Sequence, residues 1–204
     1  MPANTNLQEA AMLPRSFYFV RHGETDWNKD SRIQGHTDIP LNETGRQQAE
    51  HAVGVLARMP IDRIIASNLA RAYETACIIN AGLQKPLVVD EGLKERNYGA
   101  FEGKVFEEME SLKSDLVARG LPPEENGYPC PPDGEPYAAF RERTLGAFTR
   151  NLEKYPGENI LFVAHGGVYR VLRRCLFIEL DHSANVQPFH FNKEEAGWNL
   201  LHLK

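Results

Sequence analysis

Two histidine-glycine pairs are the residues in this chain best suited to chemistry. One is Arg21-His22-Gly23 in FVRHGETDWN, and the other is His165-Gly166 in FVAHGGVYR. Arginine offers a planar, permanently charged fork that suits an oxyanion, and histidine offers a nitrogen that can be unprotonated and nucleophilic near neutral pH. An Arg-His-Gly triplet alone is a weak signal, so its meaning depends on the elements that position it.

Both histidines directly follow predicted strands. Residues 17–20 are aromatic and β-branched, and residues 160–164 form an uninterrupted apolar run typical of the centre of a parallel sheet. Open α/β sheets bind ligands at the carboxyl ends of their strands. A predicted helix starts just after His165, so this residue lies between a strand end and a helix N-terminus, where anions bind.

Arg71 follows a third short apolar run, residues 63–66, and lies in the first turn of a helix predicted to start near Ser67 and to end near Gly82. The helix dipole disfavours a cation there, and a bound anion would remove the conflict. The next predicted strand, 87–89, leads into a loop over 90–103 that is dense in charge and glycine. Such loops often carry catalytic groups.

Composition narrows the class of protein. The chain has 204 residues, is 42% hydrophobic, and carries a net charge of -5 from 23 basic and 28 acidic residues. This length suits one domain, and the dispersed charge argues against nucleic-acid binding. We find neither a secretory signal nor an apolar run long enough to span a bilayer, so we expect no membrane partner and a cytoplasmic location.

The cysteines and histidines favour neither disulfides nor a metal site. Cys77, Cys130 and Cys175 form no CxxC pair, and we expect them reduced, with Cys77 and Cys175 in the core. The seven histidines show no HExxH or paired HxH spacing, and no GxxxxGK[ST] phosphate loop occurs.

The remaining segments complete one domain, 15–204, after a flexible N-terminal tail, 1–14. We predict a loop over 28–42 and then a helix with a capping box from Thr44 to Gln47. A helix over 105–117 and an irregular segment over 120–136 follow, and the next helix begins at the end of this segment and stops at Pro156. Paired strands are predicted at 187–191 and 198–203. We interpret residues 96–135 as a lid or insertion. Six of the 13 prolines lie within 120–136.

The motifs FVRHGETDWN, SNLARAYETA and FVAHGGVYR, in this order, resemble those of the histidine phosphatase superfamily, also called the phosphoglycerate mutase-like family. The resemblance covers about residues 17–203. It implies an α/β fold, a three-layer α/β/α sandwich with a mostly parallel central sheet.

The resemblance also implies roles for individual residues. His22 matches the nucleophile that becomes a phosphohistidine, Arg21, Arg71 and His165 match the groups that hold the phosphoryl oxygens, and Glu95 matches the acid that protonates the leaving oxygen. Substrate-binding positions fall on Asn28, Gln34, Gly35, Arg96, Tyr98 and Gly166.

Two arginine forks and a cationic His165 could supply the charge that phosphoryl transfer needs without Mg²⁺, so we expect neither metal nor cofactor. The expected ligand is a small phosphorylated metabolite. The chain leaves open whether it forms a homodimer.

Within the family we favour a histidine acid-type phosphatase over a mutase. Gln34-Gly35 and Glu102-Gly103 look phosphatase-like, whereas residues 95–99, ERNYG, are close to the mutase pattern ERHYG, whose arginine and tyrosine bind a carboxylated substrate. Residues 134–136, Gly-Glu-Pro, depart from the common Gly-Glu-Ser. The alternatives are a 2,3-bisphosphoglycerate-dependent phosphoglycerate mutase and a non-catalytic phosphate-binding protein. Arg143 matches a family arginine to which we assign structural support.

Overall fold

The structure, a computed structural model, describes residues 13–179 and 184–204. Its six strands form one sheet in the order β3-β2-β4-β1-β5-β6. The bounds are β1 Phe17–Arg21, β2 Arg63–Ala66, β3 Leu87–Val89, β4 Ile160–Ala164, β5 Pro188–Glu194 and β6 Gly197–His202. The first four strands in this order are parallel, and β5 and β6 add two antiparallel pairings at one side.

Helices cover both faces of this sheet. The α-helices are α1 Asp26–Lys29, α2 Glu43–Leu56, α3 Ala70–Leu83, α4 Phe106–Ala118, α5 Tyr137–Lys154 and α6 Gly166–Cys175; short 3-10 turns span Glu91–Leu93 and Gly99–Phe101. One face packs against α2 and α3, and the other against α5 and α6. The predicted three-layer α/β/α sandwich is therefore confirmed.

Strand β1 shows why the sheet is buried on both faces. Phe17 and Phe19 belong to the core under α5 and α6, whereas Tyr18 and Val20 belong to the core under α2 and α3. Successive strand side chains point to opposite faces, so an apolar run is needed where helices cover both. All five residues of β4 are likewise buried.

The register of these strands brings three chain segments to one edge of the sheet. Arg21 pairs with Ala164, and Ala66 pairs with Val163. One residue further on, the His22 amide donates to the Ala164 carbonyl at 2.9 Å, and the Ser67 amide donates to the Val163 carbonyl at 3.0 Å. The residues that follow β1, β2 and β4 are therefore neighbours.

The segment over 96–135 has a small apolar cluster of its own. Its buried members are Phe101, Met109 and Leu116, against which Ile33, Tyr98, Leu112 and Tyr128 pack partly buried. This cluster is distinct from the two that line the sheet. The bounds that we expected for a lid or insertion, and for the domain as a whole, stay predictions.

Three local expectations are corrected. Helix α2 begins at Glu43 rather than Thr44, because the Asn42 side chain accepts from the Gly45 amide at 2.9 Å and serves as the N-cap. The predicted loop over 28–42 contains the end of α1. Cys77 is exposed on α3, whereas Cys175 is buried as expected, because the apolar face of α3 does not extend to position 77.

The end of the predicted tail, 1–14, contacts the core of the sheet. Leu13 is fully buried in the core under α5 and α6. Its carbonyl accepts from Lys193 Nζ at 2.8 Å, so the chain is held from this residue onward. The rest of the predicted tail, 1–12, lies outside the described residues. In the described part of the chain, no helix is both long and apolar enough to cross a membrane.

Candidate active site

A cavity of about 430 Å³ opens at the carboxyl ends of β1, β2 and β4. Ten of the eleven predicted site residues line it, namely Arg21, His22, Asn28, Gln34, Gly35, Arg71, Glu95, Arg96, Tyr98 and Gly166. The eleventh, His165, lies behind them, with its ring centre 5.2 Å from that of His22. Fold and register thus bring the dispersed motifs to one place.

His22 is held in the form that a nucleophile needs. It is 3% exposed, and its Nδ1 lies 2.7 Å from the Gly23 carbonyl oxygen. A carbonyl can only accept, so Nδ1 carries the proton and Nε2 keeps its lone pair. Burial, and then the charges of Arg21 and Arg71, lower the pKa of His22 well below 6.5. The ring is therefore neutral at physiological pH.

The loop after His22 is fixed by close backbone packing. The Gly23 amide donates to Thr75 Oγ1 of α3 at 3.0 Å. A Cβ on Gly23 would lie only 2.5 Å from the Gly45 carbonyl oxygen in α2, so no larger residue fits without moving the backbone. Two helices thereby hold the backbone next to His22 in place.

Arg71 is fully buried and bound only to neutral groups among the described residues. Its Nη1 donates to the Thr37 carbonyl at 3.1 Å and its Nη2 to the Gly35 carbonyl at 2.7 Å, while its Nε has no hydrogen-bond partner there. Burial lowers the pKa of Arg71, and the carboxylates of Glu95 and other acids act against this. The orientation of this cation thus depends on the loop over 35–37.

Arg21 adds a second cation at the end of β1. Burial, followed by the charge of Arg170, lowers the pKa of Arg21 to about 10, so the group stays protonated at neutral pH. Gly166 lies beside it, since a Cβ there would be 3.5 Å from Arg21 Nε. Two guanidinium groups therefore reach the cavity near His22.

Glu102 organises the loop that holds Arg71, a role that the sequence analysis missed. Its Oε1 accepts from the His36 amide at 2.8 Å, and its Oε2 accepts from the Thr37 amide at 2.8 Å and the Thr37 hydroxyl at 2.5 Å. Gly35 has φ +56°, and a Cβ there would lie 2.0 Å from Glu102 Oε1. Glu102 is therefore a positioning residue for the Arg71 fork.

His165 is fully buried, and its Nε2 lies 2.9 Å from Ser67 Oγ, while Nδ1 has no hydrogen-bond partner in the described part of the chain. Burial, and then the charges of Arg71 and His22, lower the pKa of His165 well below 6.5. This lowering favours the neutral ring, whereas we expected a cation. A bound dianion would favour the protonated form.

Glu95 is the one of three loop glutamates that faces the cavity as a buried group. It is 8% exposed, its Oε2 accepts from the Gly167 amide at 2.8 Å, and its Oε1 accepts from the Arg96 amide at 2.8 Å. A Cβ on Gly167 would lie 1.9 Å from Oε1, so this glycine makes room for the carboxyl at the start of α6. Glu91, in contrast, is exposed and pairs with Lys94.

Arg143 supports this loop from α5, as expected. Its Nη1 donates to the Gly92 carbonyl at 2.9 Å and the Lys94 carbonyl at 3.0 Å. Its guanidinium also pairs with Glu135 at 2.7 Å. Glu135 is therefore engaged in holding the Glu95 loop.

Arg96 lines the cavity as part of its wall. Its Nη2 pairs with Glu124, and its Nε donates to the Glu135 carbonyl at 2.8 Å. A carboxylate therefore already compensates its charge. Tyr98, beside it, accepts a long hydrogen bond of 3.4 Å from Arg170 Nη2 at its hydroxyl, and burial raises its pKa.

Asn28 and Gln34 line the same cavity. Asn28 Oδ1 accepts from the Thr25 amide at 3.2 Å and the Thr25 hydroxyl at 3.1 Å. The Asn28 amide nitrogen is thus the group that it can offer to a ligand. Gln34 is 8% exposed, and its Oε1 lacks a hydrogen-bond partner in the part of the chain that the structure describes.

The cavity is also lined by residues that the sequence analysis did not select. Arg170 and Arg174 of α6 and Tyr137 and Phe140 of α5 line it. The sequence contained a signal for the two arginines, because Arg170 and Arg174 are four positions apart and so lie on one face of the helix that follows His165. Within residues 13–179 and 184–204, no group of three or more His, Cys, Asp or Glu side chains is placed to hold a metal ion.

The chain belongs to the histidine phosphatase superfamily (branch 1), which it matches over residues 17–203. It is 39% identical to the uncharacterized phosphatase PhoE of Bacillus subtilis (strain 168), over 75% of this chain and 72% of that protein. It is 37% identical to phosphoglycerate mutase-like protein 4 of Arabidopsis thaliana, over 75% and 67%. It is 32% identical to a metal-independent phosphoserine phosphatase of the same plant, over 91% and 75%.

Some relatives are much longer. Agropine synthesis reductase of Rhizobium rhizogenes is 36% identical over 98% of this chain, which spans 45% of that protein. Among solved structures, Bacillus stearothermophilus YhfR aligns with a TM-score of 0.78 at 27% identity over 92% of this chain and 95% of that one. A mycobacterial glucosyl-3-phosphoglycerate phosphatase complexed with VO3 aligns with a TM-score of 0.76 at 25% identity over 91% and 97%.

Proposed function

We propose that this protein hydrolyses a phosphomonoester of a small metabolite through a phosphohistidine at His22, without a metal ion. The observation that carries the proposal is that His22, whose Nδ1 lies against the Gly23 carbonyl oxygen and so leaves the lone pair on Nε2, lines one cavity with Arg21, Arg71 and Glu95. Membership of a phosphatase superfamily, and phosphatases among the relatives, support a hydrolase.

In the first step, His22 Nε2 attacks phosphorus and the ester P–O bond breaks. Arg21 and Arg71 bind the non-bridging oxygens, whose charge spreads during phosphoryl transfer. His165 gains a proton or donates a hydrogen bond once the dianion is present. Glu95 enters this step protonated and gives its proton to the leaving oxygen, so the alcohol departs neutral.

In the second step, Glu95 is a carboxylate and takes a proton from water. The water oxygen attacks phosphorus, the P–N bond breaks, and inorganic phosphate and neutral His22 are released. Because two arginines supply the positive charge, the residues of this chain can perform both steps without a metal ion. The cytoplasmic location, the small-metabolite partner and the open question of a homodimer stay predictions.

The proposal is tested by phosphate release from a panel of phosphomonoesters in excess EDTA. The wild-type protein should release phosphate, His22→Ala should not, and His51→Ala, an exposed histidine of α2, should match the wild type. A phosphoprotein trapped by rapid quenching should be acid-labile and absent from His22→Ala. Release that EDTA abolishes, or that His22→Ala retains, would overturn the proposal.

The mutase alternative rests on residues 95–99 and on relatives with a mutase name. The pairing of Arg96 with Glu124 weighs against it, because the arginine that the mutase pattern would offer to a carboxylate already has a partner. Interconversion of phosphoglycerates in the presence of 2,3-bisphosphoglycerate, without phosphate release, would favour the mutase. A protein that binds phosphate but turns over no ester would fit the non-catalytic alternative.

A further inference from the structure

The face of α6 that borders the cavity carries two arginines one turn apart. Arg170 and Arg174 both line the cavity. Residues four apart on a helix are neighbours on its surface, so the two guanidinium groups can act on one ligand. Neither is needed for the two chemical steps above.

The charge of the cavity exceeds what a phosphate requires. Among the described residues that line it are six arginines and a single carboxylate, Glu95, although the whole chain carries a net charge of -5. Arg21 and Arg71 serve the phosphoryl group, Arg96 is paired with Glu124, and Arg32 donates to the Gly103 carbonyl at 2.8 Å. Within residues 13–179 and 184–204, no carboxylate lies within 4.0 Å of the Arg170 or Arg174 guanidinium.

Arg173, the neighbour of Arg174, shows what an arginine with a structural role looks like on the same helix. It is 3% exposed, and it donates to the Ile178 carbonyl at 2.9 Å and the Glu179 carbonyl at 3.2 Å. Arg174 is exposed instead, and its guanidinium lies 5.8 Å from the Tyr137 ring centre. Both arginines lie in the last turn of α6, where the helix dipole favours a cation. This effect therefore does not explain why Arg174 borders the cavity.

Arg170 is the arginine closer to the reacting groups. A Cβ on Gly166 would lie 3.7 Å from Arg170 Nη1 and 3.5 Å from Arg21 Nε, so the two guanidinium groups flank one glycine. Tyr98 contacts Arg170 through its hydroxyl. Although burial acts in the opposite direction, Tyr98 and Glu95 raise the pKa of Arg170. The cation therefore lies on the Glu95 side, where a leaving alcohol would be protonated.

We propose that Arg170 and Arg174 form a second anion subsite, and that the preferred substrate carries an additional acidic group, a carboxylate or a second phosphate, on its leaving alcohol. This inference rests on the proposed phosphatase function, because it assigns the alcohol end of the same cavity. It assigns recognition of the additional acidic group to α6 rather than to Arg96.

The test compares esters that differ only in the additional acid. 3-Phosphoglycerate is paired with glycerol 3-phosphate, which lacks the carboxylate, and fructose 1,6-bisphosphate is paired with fructose 6-phosphate. The wild-type protein should prefer the acidic member of at least one pair by about tenfold or more in kcat/KM, as expected for a charge-assisted hydrogen bond. The pair with the larger ratio identifies the acid as carboxylate or phosphate.

Arg170→Gln and Arg174→Gln should each lower that ratio, and the double variant should reduce it to near one. Arg170→Lys should keep part of it, and Arg58→Gln, which removes an exposed arginine outside the cavity, should leave it intact. Circular dichroism and the unfolding midpoint check that each variant folds.

Two results would overturn the inference in different ways. The first is a wild-type protein that turns over the esters without the additional acid as well as those with it, and whose kcat/KM ratios do not change in the arginine variants. This result would contradict the subsite and would leave the proposed phosphatase function intact. A wild-type protein that releases phosphate from no ester removes both proposals.

Discussion

The two ends of the cavity are built in different ways. At the phosphate end, His22, Arg71 and His165 are buried, and each follows a different strand of the sheet, directly or at the start of the next helix. At the proposed alcohol end, the walls come from the segment over 96–135, which has its own small core, and from exposed arginines of α6. The sheet thus fixes the reaction geometry, while a separate cluster shapes the site for the alcohol.

This division has an energetic basis. The phosphate end is held by hydrogen bonds between strand ends and by glycines that allow close backbone approach, so a change there disturbs several groups at once. The 96–135 segment is joined to α5 by charged contacts, such as Glu125 with Arg141 and Glu135 with Arg143. We therefore expect substitutions at the phosphate end to affect all substrates, and substitutions at the alcohol end to alter the choice among them.

The largest effect after loss of His22 should come from Glu95→Gln. Removing the acid should slow hydrolysis of an alkyl phosphate by about 10²–10⁴-fold, the usual range for general acid-base catalysis. An aryl phosphate with a good leaving group needs less protonation and should lose less. Steady-state kinetics on both esters measures the difference, with Glu91→Gln, an exposed glutamate of the same loop, as the control. Equal losses on the two esters would exclude Glu95 as the acid.

Glu102→Gln should have the next largest effect, although Glu102 reacts with nothing. Loosening the loop over 35–37 should misplace the Arg71 fork and lower kcat/KM by about 10- to 100-fold, as misplacing a positioned group by up to 1 Å can do. Weaker inhibition by vanadate, with an unchanged unfolding midpoint, would distinguish positioning from general damage. Glu107→Gln, exposed on α4, is the matched control, and vanadate affinity equal to the wild type would contradict this role.

The buried histidines should make stability depend on pH. The pKa values of His22 and His165 are lowered in the folded protein, so below pH 6.5 the unfolded chain binds protons that the folded one does not. The free energy of unfolding should therefore decrease as the pH falls from about 6.5 to 5.5. Denaturant titration across this window measures the slope, which should be shallower in His22→Gln. A slope equal to that of the wild type would contradict the lowered pKa of His22.

The smallest expected effect is that of Met109→Ala, which compares the small cluster of the 96–135 segment with the core of the sheet. Leu161→Ala, in the centre of the sheet, should cost about 2–5 kcal/mol of the free energy of unfolding. Met109→Ala, in the small cluster of the 96–135 segment, should cost less and should leave phosphate affinity unchanged. Chemical denaturation and inhibition by inorganic phosphate measure the two quantities. A cost for Met109→Ala as large as for Leu161→Ala would show that the two regions unfold as one unit.

Much of the phosphate end could be predicted from sequence, because apolar runs mark buried strands and the residues after them must share one edge of a parallel sheet. His22, Arg71 and His165 were found in this way. Glu95 depended on family resemblance, since three glutamates share its loop. Its backbone partner Gly167 lies 72 residues away, a pairing that no local pattern specifies.

The residues that were not predicted from the sequence share related causes. Glu102 binds mainly backbone amides, which every residue except proline has, so most of its partners leave no mark on the sequence. Asn42 and Thr44 are both good N-cap residues, and only the entry angle of the chain decides between them. Arg170 and Arg174 were within reach of a helical-face argument. Their position beside the cavity, however, depends on where the 96–135 segment packs.

The order of the sheet also bears on how the chain is made. Strand β1, which leads to His22, pairs only with β4 and β5 among the strands of the described residues, and these are synthesised some 140 residues or more later. During translation β1 therefore stays without partners until most of the chain has left the ribosome. The candidate active site therefore forms late in folding, and truncation of the C-terminal strands would displace His22, the proposed nucleophile, without changing it.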